Sequence, residues 1–198
     1  FESFKIYDSF KKILIMPNNA EKSGVWEQYD NTVMGDTVQK PGGDSAVVRI
    51  HGKNKGVAST IDSSAHYCLA DPMTGGKQIV SEAWRNLIAV GANPIDITNC
   101  LNFGNPEKEK PMGEFVECVQ GIMEACKYLE YPVVSGNVSF YNETENRAIS
   151  PTPTIGGVGL IKNLDFMMTK NLKEIESNIF VIGKTLGHLN QSEFFREV

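Results

Sequence analysis

Two amphipathic helices a short distance apart constrain the fold of this chain more than any other feature. Apolar side chains recur three and four positions apart in residues 76–91, and the same spacing returns in residues 111–131. Each pattern predicts a helix that buries one face. Pro111 suits the first turn of the second helix, and Gly91 suits the C-terminal cap of the first. Both helices therefore need an apolar surface to pack against.

Strand-like runs around the helices predict that surface. β-Branched residues at 46–50 and 56–62 flank the polar turn HGKNK and predict a hairpin. The helical patterns alternate with further strand-like runs, and one more run follows a linker that begins near residue 162. These further strands are predicted at residues 94–104, 132–135, 152–161 and 177–185. The order predicts an α+β fold: a mixed sheet with two long helices on one face and a second face that needs a partner.

The linker divides the chain into predicted regions. Residues 1–38 are expected to be the end of a preceding domain and a linker, and residues 39–163 a complete domain. Residues 164–198 are expected to be a linker and the start of a second α/β domain. Because the chain begins at Phe1 without Met and stops inside a helix-like run, we expect it to be a fragment.

Composition excludes several classes of partner. Of 198 residues, 41% are hydrophobic and 22% charged, and the formal net charge is -5 without any block of Lys or Arg. This argues against nucleic acid or an anionic membrane as a partner. No apolar run approaches the roughly 18 residues of a membrane span, and no signal peptide is recognisable. Four cysteines without a CxxC pair indicate reduced, structural thiols in a cytoplasmic protein.

Common catalytic motifs are missing, but polar residues gather at predicted strand ends. There is no GxxxxGK[ST] loop and no GxGxxG loop after a strand. Asp44, Asp62 and Asp71 are each typical turn formers, yet several such groups converging would suit magnesium and phosphate. Asn102 and Asn105 lie similarly near the end of the run at 94–104, where the strand is expected to pass into a loop. From the residues alone, the sequence predicts a phosphate-handling enzyme.

The stretch SGNVSFYNE poses the same choice at one place. The predicted core strand at 132–135 is expected to stop at Gly136–Asn137, and Ser139 and Asn142 follow at once. One interpretation is an ordinary polar loop. The other is a site where backbone amides and small side chains approach phosphate and metal.

A resemblance to a known family takes the interpretation further. Long strings occur in a fixed order along nearly the whole chain: QYDNTV (28–33), GGDSAVVRI (42–50), EAWRNLIAVGANPIDITNCLNFGNPE (82–107), PVVSGNVSFYNET (132–144) and ISPTPTIGGVGLI (149–161). Together they resemble the ATP-dependent subunit of phosphoribosylformylglycinamidine synthase, in the aminoimidazole ribonucleotide synthetase superfamily.

The resemblance implies a domain organisation. The family's full subunit has two tandem copies of an A domain followed by a B domain, and its two A domains pack sheet to sheet. Residues 39–163 resemble the second A domain, and residues 164–198 the start of the second B domain. The partner of the open sheet face would then be the A domain of the first half.

The resemblance also implies an activity. The family is a carbon–nitrogen ligase of purine biosynthesis. It converts formylglycinamide ribonucleotide, glutamine-derived ammonia and ATP to formylglycinamidine ribonucleotide, ADP and phosphate, with Mg²⁺ as cofactor. The implied partners are the first half of the same subunit, a glutaminase subunit and a small accessory subunit.

Residue roles carry over by position. The resemblance assigns ATP contacts to Asn99 and Gly136, a Mg²⁺ contact to Asn137 and a substrate contact to Ser139. Asn99 stands where the family has Asp, which removes a charge from the expected ATP contact. No catalytic residue is assigned, because the family's catalytic histidines lie in the first A domain. We therefore expect this polypeptide alone to be catalytically inactive.

Two alternatives remain open at this stage. Another enzyme of the superfamily would share the hairpin and helices, but it is expected to lack the strings CLNFGNPE and GNVSFYNE. A non-catalytic half that binds a nucleotide, or that only packs against a partner domain, would share the whole pattern. Measuring the affinity for ATP separates a packing module from a binding one.

Overall fold

A computed structural model describes residues 5–172, 176–187 and 189–197. Two compact units are formed: the larger spans Asp30–Asn171, and the smaller combines the described residues up to Tyr29 with those from Leu172 onward. In chain order the helices and strands are α1 (Ile6–Leu14), α2 (Ser23–Trp26), β1 (Thr37–Gln39), β2 (Ala46–Arg49), β3 (Gly56–Ser63), α3 (Ala65–Ala70), α4 (Pro72–Ala89), β4 (Asn93–Asn102), α5 (Glu109–Tyr128), β5 (Val133–Ser139), β6 (Glu143–Thr144), β7 (Arg147–Ala148), β8 (Thr152–Ile161) and α6 (Glu193–Glu197). The predicted domain boundaries at 38/39 and 163/164 stay predictions.

The larger unit is built on one mixed sheet. Within the described residues its strand order is β1-β2-β3-β8-β4-β5. Every neighbouring pair is antiparallel except β4 and β5, which run parallel. The predicted hairpin is confirmed as β2 and β3, and the glycine-containing run at 152–161 is the strand at the centre of the sheet. The short β6–β7 hairpin, which lies between β5 and β8 in the chain, forms a separate two-stranded sheet.

Helices α4 and α5 cover one face of this sheet, as predicted. Their apolar side chains meet those of alternate residues on β2, β3, β4 and β8, which form one buried cluster. Its fully buried members include Val47, Ala58, Ile79, Ala83, Leu87, Ile97 and Ile155. The helical spacing therefore identified the core-facing side of α4 correctly, and that of α5 apart from Met123, which is 44% exposed. All four cysteines are free, and three of them, Cys68, Cys118 and Cys126, are buried.

Glycines bring the two helices unusually close. A Cβ atom on Gly76 of α4 would collide with the carbonyl oxygen of Cys118, and one on Gly121 of α5 with the carbonyl oxygen of Met73. A glycine on each helix thus lets the backbones approach where any larger residue would separate them. Nothing in the periodicity of the sequence indicated this contact.

The chain is also helical just before the predicted start of α4. Residues 65–70 form α3, and α4 begins four residues earlier than expected, at Pro72. The side chain of Asp71 accepts a hydrogen bond from the backbone N–H of Thr74 at 2.8 Å, so it caps the helix. An N-cap Asp followed by a first-turn proline is a helix start signal. The signal was overlooked because Gly75 and Gly76, which follow it, are typical of a loop.

The second face of the sheet carries exposed apolar side chains. Along β3 the burial alternates strictly, and Val57 and Ile61 point to the uncovered side. Ile61 is 79% exposed. The predicted uncovered face is therefore present, while its predicted occupant, a second copy of this type of domain, stays a prediction.

Two predicted strands differ from the structure. The strand at 132–135 was expected to be buried and to stop at Gly136, but β5 continues to Ser139 and lies at the sheet edge, exposed along almost its whole length. An apolar run marks a buried strand and an edge strand equally well. The strand expected at 177–185 does not form. Residues 179–182 are exposed, and no described strand pairs with them.

The chain was predicted to contain no membrane span. Among the described residues, no helix combines the length and the apolar character that crossing a bilayer requires.

Gly157 provides a test of how tightly the core is packed. A Cβ atom there would lie 2.5 Å from the hydroxyl oxygen of the buried Tyr131 and 3.1 Å from Cγ2 of Thr60. We expect Gly157→Ala to lower the free energy of unfolding by about 1–3 kcal/mol, because the core has no room for the methyl group. Urea denaturation measures the change.

The variant Tyr131→Phe removes the atom nearest to the added methyl group. In that background Gly157→Ala should cost clearly less stability than in the wild type. Gly113→Ala is the matched control, since a Cβ on this exposed helical glycine would meet nothing within 4 Å, and we expect it to be neutral or stabilising by up to about 1 kcal/mol. Equal costs of Gly157→Ala in the two backgrounds would contradict the packing argument.

Candidate functional site

The four predicted site residues lie on one pair of neighbouring strands. β4 and β5 run parallel, with Asn99 paired to Gly136 and Cys100 to Asn137. The last pair of the ladder joins Asn102 to Ser139. The parallel pairing thus brings together residues that are about forty positions apart in the chain.

Alternation along the strands divides these residues between the two faces of the sheet. Asn99 points to the helix side with Ile97 and Leu101, and Gly136 is its partner on that side. Asn137 and Ser139 point to the uncovered side. Because β5 is the edge strand, only the width of this strand separates the Asn99–Gly136 pair on one face from Asn137 and Ser139 on the other. A ligand that reached both would lie over the edge of the sheet.

On the helix side, glycine leaves room for the amide of Asn99. A Cβ atom at position 136 would overlap Oδ1 of Asn99, so the amide lies directly over the backbone of β5. The helices do not cover this place, since the flanking Val134 and Val138 are 64% and 47% exposed. The result is a neutral amide beside an accessible stretch of backbone, which suits close approach of a polar ligand.

On the uncovered side, polar groups form a short ladder between the two strands. Ser135 Oγ donates to Thr98 Oγ1 at 2.8 Å, and Nδ2 of Asn137 lies 3.9 Å from Sγ of Cys100. In the described part of the chain no group donates to Oδ1 of Asn137. The amide oxygen of Asn137 is therefore accessible to a ligand, and an exposed thiol lies beside it.

Asn137 does not belong to a preformed cage of metal ligands. No group of three or more His, Cys, Asp or Glu side chains that could hold a metal ion occurs among the residues that the structure describes. An amide oxygen can contribute one ligand to Mg²⁺, whose other ligands are commonly phosphate oxygens and water. The amide oxygen of Asn137 therefore fits a Mg²⁺ ion that is bound together with a phosphate-containing ligand.

A polar clamp holds the loops that follow both strands. Asn142 hydrogen-bonds to Ser139 and to the carbonyl oxygen of Phe103. Glu143 accepts from the backbone N–H of Asn105 at 3.2 Å and from Nζ of Lys108 at 2.9 Å. The Lys108 ammonium beside it holds the pKa of the Glu143 carboxyl below its ordinary value of 4.5. The ends of β4 and β5 are thereby fixed relative to each other.

The strand-end carboxylates do not converge on this strand pair. Asp71 caps α4, and Asp62 is buried on the helix side of β3, where it accepts from Thr60 Oγ1 and Asn86 Nδ2, each at 2.8 Å. Burial raises the pKa of Asp62, although the bond from Thr60 opposes the shift. Asp44 and Asp62 line a separate pocket of about 530 Å³. These three carboxylates therefore do not form one site with the β4–β5 pair.

The fold and the sequence together place the chain in a family. Residues 42–161 match the family described as AIR synthase related protein, N-terminal domain. Because this match covers more than half of the chain, the chain belongs to that family. The matched segment begins before β2 and ends at the last residue of β8, so it includes both helices that cover the sheet and the β4–β5 pair.

The similar curated proteins carry one and the same protein name. The chain is 63% identical to the phosphoribosylformylglycinamidine synthase subunit PurL of Pelagibacter ubique over 198 residues, which is 100% of this chain and 27% of the relative. It thus spans about a quarter of the length of the curated relatives it matches.

Solved structures agree in fold. PurLQS from Thermotoga maritima superposes with a TM-score of 0.70 at 34% identity, over 75% of this chain and 25% of that one. T. maritima PurL complexed with ATP gives 0.65 at 36% identity, over 74% and 24%. The same protein complexed with FGAR gives 0.64 at 36% identity, over 74% and 24%.

The clamp was not predicted from the sequence. Asn142 and Glu143 were seen only as polar residues after a strand, because their partners at 103–108 are distant in sequence. A signal was nevertheless present, since CLNFGNPE and SGNVSFYNE end two successive strand-like runs. Carboxyl ends of parallel neighbours meet at the same edge of a sheet, and the strand order would have been needed to use that rule.

The clamp should respond to acid. Because the folded state holds the pKa of Glu143 below 4.5, its interactions are fully present above that ordinary value and are lost as the pH falls through the lowered pKa. We expect the carboxyl carbon of Glu143, followed by NMR, to titrate below pH 4.5. The amide proton of Asn105 should lose exchange protection over the same range.

Glu143→Gln removes the charge, so we expect the Asn105 amide to be less protected at neutral pH. Glu145→Gln, in the exposed hairpin turn, is the matched control and should leave that amide unchanged. Titration of Glu143 at or above pH 4.5 would contradict the clamp.

Proposed function

We propose that this chain contributes nucleotide, metal and substrate contacts to an ATP-dependent carbon–nitrogen ligase of purine biosynthesis. The reaction converts formylglycinamide ribonucleotide, glutamine-derived ammonia and ATP to formylglycinamidine ribonucleotide, ADP and phosphate. The pairing of Asn99 with Gly136 next to Asn137 carries the proposal, since these three residues have the chemistry and the proximity that a Mg-nucleotide contact requires.

ATP binding is assigned to the helix side of the strand pair. Gly136 lets the Asn99 amide lie against the backbone of β5, where a larger residue would displace it. An amide can both donate to and accept from a nucleotide. Asn99 brings no charge, so it does not repel a triphosphate as an unpaired carboxylate would. The complex of T. maritima PurL with ATP supports this assignment by similarity.

Magnesium binding is assigned to Asn137. Its amide oxygen is a hard, neutral ligand, and none of the described groups donates to it. When bound, Mg²⁺ would neutralise charge on the transferred phosphate. The contribution of Asn137 is to hold the ion at the edge of β5, one residue from the proposed nucleotide contact.

Substrate binding is assigned to Ser139, on the same face as Asn137 and two residues further along β5. The complex of T. maritima PurL with FGAR supports a ribonucleotide substrate by similarity. PurLQS likewise supports an assembly with further subunits, for which we propose a glutaminase and a small accessory subunit in the cytoplasm. The uncovered sheet face is the proposed contact for another domain of the same type.

Calorimetric titration with Mg-ATP tests the proposal. The wild-type chain should bind saturably, and Gly136→Val should weaken binding at least about tenfold, because the added side chain displaces the Asn99 amide. Asn137→Ala should weaken binding in the presence of Mg²⁺ but leave the affinity for ATP measured in EDTA unchanged, because the variant removes only a metal ligand.

Asn93→Ala is the matched control for Asn137→Ala, since Asn93 is exposed at the opposite end of β4. It should leave both affinities unchanged. The absence of saturable Mg-ATP binding by the wild-type chain would contradict a nucleotide site on it and favour the packing module. Equal losses for Asn137→Ala with and without Mg²⁺ would contradict the metal assignment alone.

A further inference from the structure

One pair of the β4–β5 ladder carries a hydroxyl group on each strand. Ser135 Oγ lies 2.8 Å from Thr98 Oγ1, and both residues are exposed. The next pair along the ladder joins Asn99 to Gly136, and the pair after it includes Asn137. The two hydroxyl groups therefore lie directly before the residues that are proposed to meet ATP and Mg²⁺.

An irregularity in β5 turns Ser135 toward Thr98. The ladder pairs Ile97 with Val133. Its next pair joins Thr98 to Ser135, so Val134 is an extra residue in β5. In a regular strand Ser135 would share a face with Val133, on the helix side, because side chains alternate. A β-bulge can re-aim a side chain, and this one places both hydroxyl groups on the uncovered face.

A glycine on the other neighbour of β4 fixes the orientation of Thr98. A Cβ atom on Gly156 of β8 would lie 2.9 Å from Cγ2 of Thr98, so the methyl group of the threonine packs over that glycine. β-Branched side chains are stiff at χ1. With its methyl group over β8, Thr98 directs its hydroxyl group to β5, where Ser135 meets it. The hydroxyl pair is thus held in place before any ligand binds.

The pair has one hydroxyl hydrogen more than its internal bond uses. Two hydroxyl groups carry two hydrogens, and the bond between them takes one of these, whichever group donates. In the described part of the chain, neither Thr98 Oγ1 nor Ser135 Oγ has another hydrogen-bond partner. One O–H group therefore stays available on the uncovered face, and an acceptor oxygen is its best match.

We propose that the Thr98–Ser135 hydroxyl pair donates a hydrogen bond to a phosphate oxygen of the Mg-bound nucleotide. The inference rests on the proposed function, because it presumes that Asn137 holds a Mg²⁺ ion that is bound together with the nucleotide.

The spacing along β5 suits this role. Ser135 lies two residues from Asn137, which is roughly 6.6 Å along a strand. A phosphate group whose oxygen binds Mg²⁺ at about 2.1 Å can reach across that distance to a hydroxyl group. A nucleotide that meets Gly136 from the helix side would reach the pair over the edge of β5. The ribonucleotide is assigned to Ser139, on the other side of Asn137, so the pair lies on the side away from the substrate.

Calorimetric titration of the full chain with Mg-ATP tests the inference. Thr98→Val and Ser135→Ala each leave one hydroxyl group that can still donate, so we expect each single variant to lose less than about threefold in affinity. The double variant leaves no donor and should bind at least about tenfold more weakly, as expected for a lost hydrogen bond to a charged group. Its loss should persist for ATP in EDTA, because the bond is made to the phosphate and not to the metal.

Thr152→Val is the matched control on the uncovered face of β8. The hydroxyl group of Thr152 donates to the carbonyl oxygen of Ser150 at 2.7 Å, so it has no hydrogen left for a ligand. We expect this variant to keep its affinity for Mg-ATP within about twofold. The double variant should likewise keep its affinity for formylglycinamide ribonucleotide within about twofold, because that substrate is assigned to Ser139.

The possible outcomes separate the inference from the proposed function. If the double variant binds Mg-ATP as the wild type does while Gly136→Val binds it weakly, the inference is wrong and the nucleotide site stands. A loss of ribonucleotide affinity in place of Mg-ATP affinity would assign the pair to the phosphate of the substrate and overturn the inference. A loss confined to solutions with Mg²⁺ would show that the pair acts through the metal, which also overturns it. If the wild type does not bind Mg-ATP, the proposed function fails and the inference fails with it.

Discussion

The antiparallel pairing of β4 with β8 is the interaction on which the rest of the larger unit depends. It runs from Asn93 opposite Leu160 to Asn102 opposite Thr152. Small residues on β8 let its neighbours approach, and the place of a Cβ on Gly157 is taken by Tyr131, Thr60 and Leu87. The sheet and helix α4 are thereby packed together along one strand.

β5 depends on that pairing in turn, because β4 is its one neighbour in the described sheet. Backbone hydrogen bonds hold β5 on one side only, and neither face of it is covered. At the site this edge strand presents the small or polar residues Gly136, Asn137 and Ser139, and the apolar side chain between them, Val138, is 47% exposed. Its exposure is consistent with a surface that meets a ligand and a partner domain, and the Asn142–Glu143 clamp compensates for the missing neighbour at its end.

Local sequence signals predicted much of this fold. The helical periodicity of α4 and α5, the β2–β3 hairpin and the glycine-containing β8 were all recognisable, because each is encoded within about twenty residues. Three other features could not be recognised, because they depend on residues distant in the chain: the strand order, the edge position of β5, and the close contact of α4 with α5 at Gly76 and Gly121. Site roles at positions 99, 136, 137 and 139 were predicted through a family resemblance. The role of Asn142 in the clamp was recognised only from its distances to Ser139 and Phe103.

The central claim is that the β4–β5 edge itself is the ligand-binding surface of this chain. Backbone amide shifts of the ¹⁵N-labelled chain, recorded as Mg-ATP is added, test it most directly. The account predicts that the largest shifts occur at Asn99, Gly136 and Asn137, with those of α4 and α5 nearly unchanged. Shifts confined to the pocket around Asp44 and Asp62, or no shifts at saturating nucleotide, would contradict it.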